Sequence, residues 1–169
     1  NAFHMDEYVV LSREAPQSFG YYLCKHVFSL LPFKSVNFLR GDAPDAAAEC
    51  ARYAVLLRRF PPDVVTLGIG ENGHIAFNEP GQVLHNNAHI EALTESTIAA
   101  NARFFADADA VPKKAISMGM GDIMRASKII LIATGPKKAD AIRGLIMNEN
   151  VDVNNPSTML KMHPDVTVI

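Results

Sequence analysis

The segment "DVVTLGIGENGHIAFNEPG" occupies residues 63–81 and joins a short apolar run to a glycine-rich loop, residues 68–81. Gly68, Gly70 and Gly73 reproduce the GxGxxG spacing of dinucleotide-binding loops, which is a weak signal on its own. Such a loop has to open into a sustained helix that faces the pyrophosphate. The proline and glycine that end the segment leave no room for that helix. The sequence therefore predicts an irregular loop after a strand and disfavours a nucleotide site.

Strand-like and helical patterns alternate along the rest of the chain. Three β-rich apolar runs end in glycine, namely residues 63–70, 115–121 and 128–135, and their continuous hydrophobicity predicts strands covered on both faces of a parallel sheet. Four helical patterns accompany them, at residues 16–31, 44–60, 94–105 and 135–147, and the first two begin at a proline. We therefore expect a single α/β domain over residues 1–169, with an open, mostly parallel Rossmann-like sheet and helices on both faces.

Composition restricts the partners. The net charge of −2 gives no broad basic field, so we expect no nucleic-acid partner. No apolar stretch approaches the roughly 20 residues of a membrane span, and the first residues do not form a signal peptide. Cys24 and Cys50 are isolated and lack CxxC spacing, which favours a reducing, cytoplasmic location.

A metal site is not expected from the sequence. His85 and His89 have HxxxH spacing, but the glutamate of an HExxH motif is absent, and Asn86 and Asn87 favour a turn. Glu91 stands about where a dinucleotide site would carry its ribose-binding acid, and no clear strand is predicted to deliver it.

The glycine-rich loop carries several polar residues that are suited to proton transfer. Asn72, His74, Asn78 and Glu79 lie close together in sequence. A carboxylate near an imidazole can orient it, and an oriented imidazole moves protons near neutral pH. The alternative is a polar turn in which the histidine caps a helix.

The segments "GIGENGHIAFNEPG" and "HMDEYVVLS" carry a likeness to a known family, and it continues in the same order through "NARFF", "TGPKKADAI" and "PSTMLKMHP". In these segments the chain resembles the glucosamine-6-phosphate deaminase/isomerase family. It covers essentially the whole chain. Members of that family convert an amino-sugar 6-phosphate and water into fructose 6-phosphate and ammonia, without a metal or an organic cofactor.

The resemblance implies a role for each matching residue. Asp6 would be the general base that takes a proton from sugar C2 and returns it to C1, which requires one carboxylate over two adjacent carbons. His74 would open the pyranose ring, and Glu79 would orient its imidazole. Asn72 departs from those members that have Asp at this position, so only one carboxylate flanks the histidine here. Because Glu79 still supplies the negative charge, we expect activity to survive.

The substrate phosphate would bind Arg103 in "NARFF" and Lys138 in "GPKKADAI", the second near a helix N-terminus where backbone N–H groups favour anions. Lys137 is an alternative to Lys138. The family also uses a turn rich in Gly and Thr before the Asp-Glu-Tyr motif, and no such turn stands in these residues. The resemblance therefore implies that a first strand and helix, and a region after Ile169, are missing, with an exposed sheet edge and an incomplete phosphate pocket.

Two other functions remain as alternatives. One is the related 6-phosphogluconolactonase class, which hydrolyses an ester and needs no C2 base such as Asp6. The other is a non-catalytic sugar-phosphate-binding effector domain, which would not need Asp6, His74 and Glu79 together. The sequence does not separate glucosamine 6-phosphate from galactosamine 6-phosphate, and it leaves a homo-oligomer open.

Overall fold

The computed structural model describes residues 1–169, and it shows an α/β chain whose strands form three small sheets. The strands are β1 Ala2–Phe3, β2 Asp6–Tyr8, β3 Val36–Asn37, β4 Val64–Leu67, β5 His89–Ala92, β6 Lys114–Ser117, β7 Lys128–Leu131 and β8 Val166–Val168. Strands β4, β7 and β8 form a parallel sheet, and β1 pairs in parallel with β3. Strands β2, β6 and β5 form an antiparallel sheet, in that order.

Helices connect these strands. The α-helices are α1 Phe19–Leu23, α2 Ala46–Arg59, α3 Glu95–Asn101, α4 Met120–Met124 and α5 Ala139–Met147. A π-helical turn, Cys24–Phe28, follows α1, and 3-10 turns occur at Ala102–Phe104, Pro136–Lys138 and Pro156–Met162. The alternation of strands and helices confirms the predicted α/β class. The longest helix of the structure is too short and too polar to cross a membrane.

The main core joins the parallel sheet to the helices around it. Its fully buried members include Tyr53 and Leu57 of α2, Leu67 of β4, Ile129 of β7 and Leu145 of α5. Burial in β4 alternates, however: Val65 is 5% exposed and its neighbour Val64 is 52% exposed. The expectation that this strand is covered on both faces is therefore wrong.

Strand β6 departs from the expected parallel pairing. Ala115, Ile116 and Ser117 are all buried, as the apolar run predicted, but the strand pairs antiparallel with β2 on one side and β5 on the other. Continuous burial reports that both faces are covered and does not fix the direction of the neighbouring strands. Strand β5 also carries Glu91, for which the sequence indicated no clear strand.

The first two helices begin later than the prolines indicated. Helix α1 starts after Ser18, whose hydroxyl accepts a hydrogen bond from the Tyr21 amide, and helix α2 starts after Asp45, whose carboxylate accepts one from the Ala48 amide. Serine and aspartate satisfy the free amides of a first helical turn, so they define the start more directly than a preceding proline.

An apolar groove of about 610 Å³ separates β1 from β4. Phe3 and Met5 line one side, and Val64 and Thr66 line the other. Strand β1 pairs only with β3, and β4 pairs only with β7, so each strand has one unpaired edge.

Candidate active site

One pocket of about 290 Å³ collects most of the residues singled out in the sequence. Asp6 at the start of β2, Asn72 and His74 in the glycine-rich loop, Arg103 after α3, and Lys138 before α5 all line it. Glu79 lies behind the imidazole and is only 4% exposed. Residues from four distant parts of the sequence therefore meet around one space, after the carboxyl end of β4 as expected for an α/β sheet.

The glycines of the loop allow the histidine to pack tightly. The Gly70 amide donates to the carbonyl of His74 at 2.9 Å, and the Gly73 amide donates to the carbonyl of Gly70 at 3.0 Å. A Cβ atom added at Gly70 would lie 2.6 Å from the His74 ring, and Gly73 has a φ of +85°. The GxGxxG spacing thus belongs to a tight turn under the His74 imidazole. The loop does not open into a helix.

His74 and Glu79, which the sequence placed close together in one loop, are in contact in the structure. The distance between His74 Nδ1 and Glu79 Oε2 is 3.4 Å, and the histidine side chain is 18% exposed, towards the pocket. With Nδ1 facing the carboxylate, Nε2 is left for a substrate oxygen. The alternative of a histidine that caps a helix is not what the structure shows.

Asn72 forms hydrogen bonds with both His74 and Glu79. Its side-chain amide donates to Glu79 Oε2 at 2.8 Å, and its Oδ1 atom accepts from the His74 amide at 3.1 Å. Burial alone would raise the pKa of Glu79, but the hydrogen bond and positive charge of His74, together with Asn72, outweigh it and the pKa is lowered. Glu79 is therefore held as a carboxylate beside the imidazole.

Asp6 has the opposite environment. Burial raises its pKa to about 7, and the neighbouring carboxylate of Glu7 adds to the shift. Glu7 is itself buried and accepts hydrogen bonds from the Ser18 hydroxyl at 2.5 Å and the Gly20 amide at 3.0 Å, at the start of α1. A carboxyl group with a pKa near 7 exchanges protons readily at neutral pH.

Two buried polar residues that sequence reasoning did not assign tie the loop to Asp6. Ser117 pairs with Asp6 in the β2–β6 register, and its hydroxyl accepts from the Phe77 amide at 3.0 Å. The Asn78 side chain donates to the carbonyl of Met118 at 2.8 Å. The end of β6 thus anchors both halves of the pocket. Asn78 stood out as polar in the sequence, but only the fold identifies its partner.

Helix α3 closes the far side of the His74–Glu79 pair. Thr94, the N-cap residue of α3, donates from its hydroxyl to Glu79 Oε2 at 3.2 Å. The Thr97 hydroxyl lies 3.3 Å from His74 Nδ1. Neither threonine was predicted to belong to the site. The only sequence signal was a threonine before a helical pattern, which predicts a helix cap and not a contact with His74 or Glu79.

The two cations lie at the rim of the pocket. Arg103 stacks against the ring of Phe104, with its guanidinium carbon 4.8 Å from the ring centroid. Lys138 lines the pocket, whereas the ammonium group of Lys137 lies 3.8 Å from the carboxylate of Glu71. The structure therefore favours Lys138 over Lys137 as a ligand for an anion in this pocket.

Known proteins share both the sequence and the fold. The chain is 49% identical over 166 residues to a glucosamine-6-phosphate deaminase of Lactobacillus delbrueckii, with 98% of this chain and 70% of that protein covered. It is also 49% identical to a glucosamine-6-phosphate deaminase of an Exiguobacterium species, covering 98% of this chain and 65% of that protein. The chain therefore spans about two thirds of the length of these relatives.

Solved structures agree on the architecture. A structure described as a monomeric glucosamine-6-phosphate deaminase superposes with a TM-score of 0.93 at 39% identity, covering 98% of this chain and 70% of that one. The 6-phosphogluconolactonase of Thermotoga maritima shares the fold, with a TM-score of 0.73 at 16% identity over 98% of this chain and 69% of that one. Residues 1–169 match the family of glucosamine-6-phosphate isomerases and 6-phosphogluconolactonases, and the chain belongs to that family.

Proposed function

We propose that the chain catalyses the isomerisation and deamination of glucosamine 6-phosphate to fructose 6-phosphate and ammonia. The observation that carries this proposal is the meeting of Asp6 and His74 in one pocket, with Glu79 bonded to the far side of the imidazole. The relatives that are nearly half identical to this chain are deaminases, which supports the same reaction. No cofactor is needed for the proton transfers involved.

The first step would open the sugar ring. His74 faces the pocket while Nδ1 is turned to Glu79, so Nε2 is free to pass a proton between the anomeric hydroxyl and the ring oxygen. Glu79 stabilises the imidazolium that forms during this transfer, as an orienting carboxylate does in other histidine sites. The product of the step is the open-chain aldehyde.

The second step would move a proton from C2 to C1. Asp6 takes the C2 proton to give an enolamine, then returns a proton to C1, which leaves an imine at C2. Water adds to that imine and ammonia leaves, so the atoms of sugar, water, ketose and ammonia balance. The carbon chemistry is therefore an isomerisation with loss of the amine, and "hydrolase" describes only the final exchange of ammonia for water.

An assay with two substrates tests the proposal against the lactonase alternative. Purified protein should release ammonia and fructose 6-phosphate in equal amounts from glucosamine 6-phosphate, and it should not open 6-phosphogluconolactone faster than buffer does. Binding of glucosamine 6-phosphate without turnover would favour the effector-domain alternative.

We propose that residues 1–169 act here as one domain in the cytoplasm, and sedimentation of the same sample will show whether homo-oligomers form.

Replacing Asn72 with aspartate should move the activity profile to higher pH. In Asn72→Asp a donor 2.8 Å from Glu79 becomes a second carboxylate, and two negative groups favour the imidazolium form of His74. The added carboxylate disfavours the neutral imidazole relative to the wild type, so the acidic limb of kcat against pH shifts upward. Asn72→Ser, which adds no charge, serves as the control. Identical limbs in the two variants would contradict this role of Asn72.

Removing either candidate phosphate ligand should raise KM far more than it changes kcat. For Arg103→Ala and Lys138→Ala we expect KM to rise about 10–100-fold, since a charge-assisted hydrogen bond contributes about 1.5–3 kcal/mol to binding. Lys137→Ala is the matched control, because Lys137 faces Glu71 and should leave KM within about twofold. An equal effect of Lys137→Ala and Lys138→Ala would show that the phosphate does not bind at Lys138.

A further inference from the structure

A second cluster of chemically competent side chains lies outside the active-site pocket. His85 stands in the segment before β5, and His89 and Glu91 lie on that strand. One ligand atom from each, two imidazole nitrogens and a carboxylate oxygen, all lie within 4.8 Å of one another. Residues two apart on a strand point to the same face, so β5 itself brings His89 and Glu91 together. None of the three lines the pocket that contains His74.

His89 is held in an orientation that suits a metal ligand. Its Nδ1 atom lies 3.3 Å from the backbone carbonyl of Asn87, and its Nε2 atom lies 3.0 Å from Glu91 Oε2. A neutral imidazole has one N–H, so it can donate to only one of these two oxygens. When Nδ1–H donates to Asn87, Nε2 presents a lone pair towards a carboxylate, and a cation between them satisfies both atoms. A hydrogen bond from the other ring nitrogen to a backbone carbonyl is the usual support of metal-bound histidine.

The distances are close to those of a zinc site. With metal–ligand bonds of about 2.0–2.2 Å, the ligand atoms of a tetrahedral site lie about 3.4 Å apart. The pair formed by His89 and Glu91 is already near that separation, at 3.0 Å. His85 is exposed and stacks on His89, with ring centroids 4.1 Å apart, so binding the same ion would require its ring to turn towards His89 and Glu91.

We propose that His85, His89 and Glu91 bind one divalent transition-metal ion, with Zn²⁺ as the best match to two imidazoles and one carboxylate. This donor set carries a single negative charge, and a bound water completes the coordination. Mg²⁺ and Ca²⁺ prefer oxygen ligands and are excluded by the two imidazoles. The HxxxH spacing gave no metal site by itself, because the third ligand comes from a strand that the sequence pattern did not predict.

The metal would act as a structural clamp. The loop that contains His85 leaves the glycine-rich loop at Gly81, and β5 leads directly to Thr94, which bonds Glu79. A metal that joins His85 to β5 would therefore restrain the segment between the glycine-rich loop and Thr94. We expect Zn²⁺ to raise stability and to leave kcat within about twofold, because no ligand touches the pocket.

Calorimetric titration of chelator-treated protein with Zn²⁺ tests the site. The wild-type chain should bind one equivalent, and Zn²⁺ at about 100 times the measured Kd should raise Tm by about 5–10 °C. His85→Ala and Glu91→Gln should each weaken binding by at least about 10-fold, because loss of even an outer partner of a metal ligand costs about 10–100-fold in affinity. His26→Ala, which removes an exposed histidine outside the cluster, is the matched control and should bind as the wild type does.

Two results would overturn the metal site. One is Zn²⁺ binding that survives in the double variant His85→Ala, Glu91→Gln, which would place the ion elsewhere. The other is no binding by the wild-type chain, which would mean that the three side chains only contact one another. Binding is measured without substrate, so the outcome is independent of the proposed deaminase activity.

Discussion

Asp6→Asn should lower kcat for ammonia release by about 10²–10⁴-fold, the usual contribution of a positioned general base. The asparagine keeps the shape of the side chain and cannot accept the C2 proton. In the wild-type chain kcat/KM should fall as pH drops through about 7, because the carboxyl group then takes up a proton and ceases to act as a base. The part of that limb that arises from Asp6 should be absent from the residual activity of the variant.

The same substitution should stabilise the fold above neutral pH. The ordinary pKa of 3.8 applies to the unfolded chain and a pKa of about 7 to the folded one, so between these values only the folded state keeps the proton. The wild-type chain therefore loses stability as pH rises from about 4 to 7, and the loss persists above 7. Removal of the charge should raise the free energy of unfolding at pH 8 by about 1–3 kcal/mol, with no gain at pH 4.

Urea unfolding at pH 4, 6 and 8, together with kcat measured on the same samples, checks both effects. Asp42→Asn is the control, because Asp42 is an exposed carboxylate away from the pocket. An inactive Asp6→Asn that is less stable than wild type at pH 8 would mean that Asp6 supports the structure and not the chemistry.

Gly70→Ala should lower kcat/KM by about 10²-fold without unfolding the protein. The new methyl group would meet the His74 ring at 2.6 Å, so the imidazole has to rotate away from Glu79. A displacement of about 1 Å in a catalytic group costs about this much. Gly70 does not have a positive φ, so alanine introduces no backbone strain and the effect is confined to the ring.

Gly68→Ala is the matched control for that experiment. Gly68 also lines the pocket, but a Cβ atom there would have no neighbour within 4 Å. We expect Gly68→Ala to keep kcat/KM within about threefold, and circular dichroism to be the same for both variants. Similar losses in the two would mean that the loop as a whole, and not the imidazole, is sensitive to substitution.

Sequence patterns predicted the elements whose signal is local. Strands β4 and β7 and helices α2 and α5 have clear apolar periodicity, and the structure contains all four. Strands β5 and β8 were missed. Ile90 in β5 is 39% exposed and Val168 in β8 is 42% exposed, so these short strands have no continuous apolar run. Their pairing partners are distant in sequence, and that information is absent from any local window.

In the candidate site, too, the residues close together in sequence were predicted from a local pattern and those brought in by the fold were not. The loop that contains His74 and Glu79 is contiguous, so its chemistry was visible in one segment. Asp6 was assigned a role only by the family resemblance. Its place in the same pocket as His74 depends on the pairing of β2 with β6, and the contribution of Thr94 depends on where α3 begins. Both depend on the tertiary structure and not on a local sequence pattern.

Because Ser117 and Met118 hold both sides of the pocket, the geometry of the site does not depend on how closely the outer strands pack. The strand with the base and the loop with the imidazole are both fastened to these two successive residues. Strands β1 and β4, in contrast, are separated by a groove and share no hydrogen bond. A change in the separation of β1 and β4 should therefore have little effect on the distance between the Asp6 carboxyl group and the His74 imidazole. Exposed positions of the outer strands, such as Val64, can therefore change in sequence while that distance is kept.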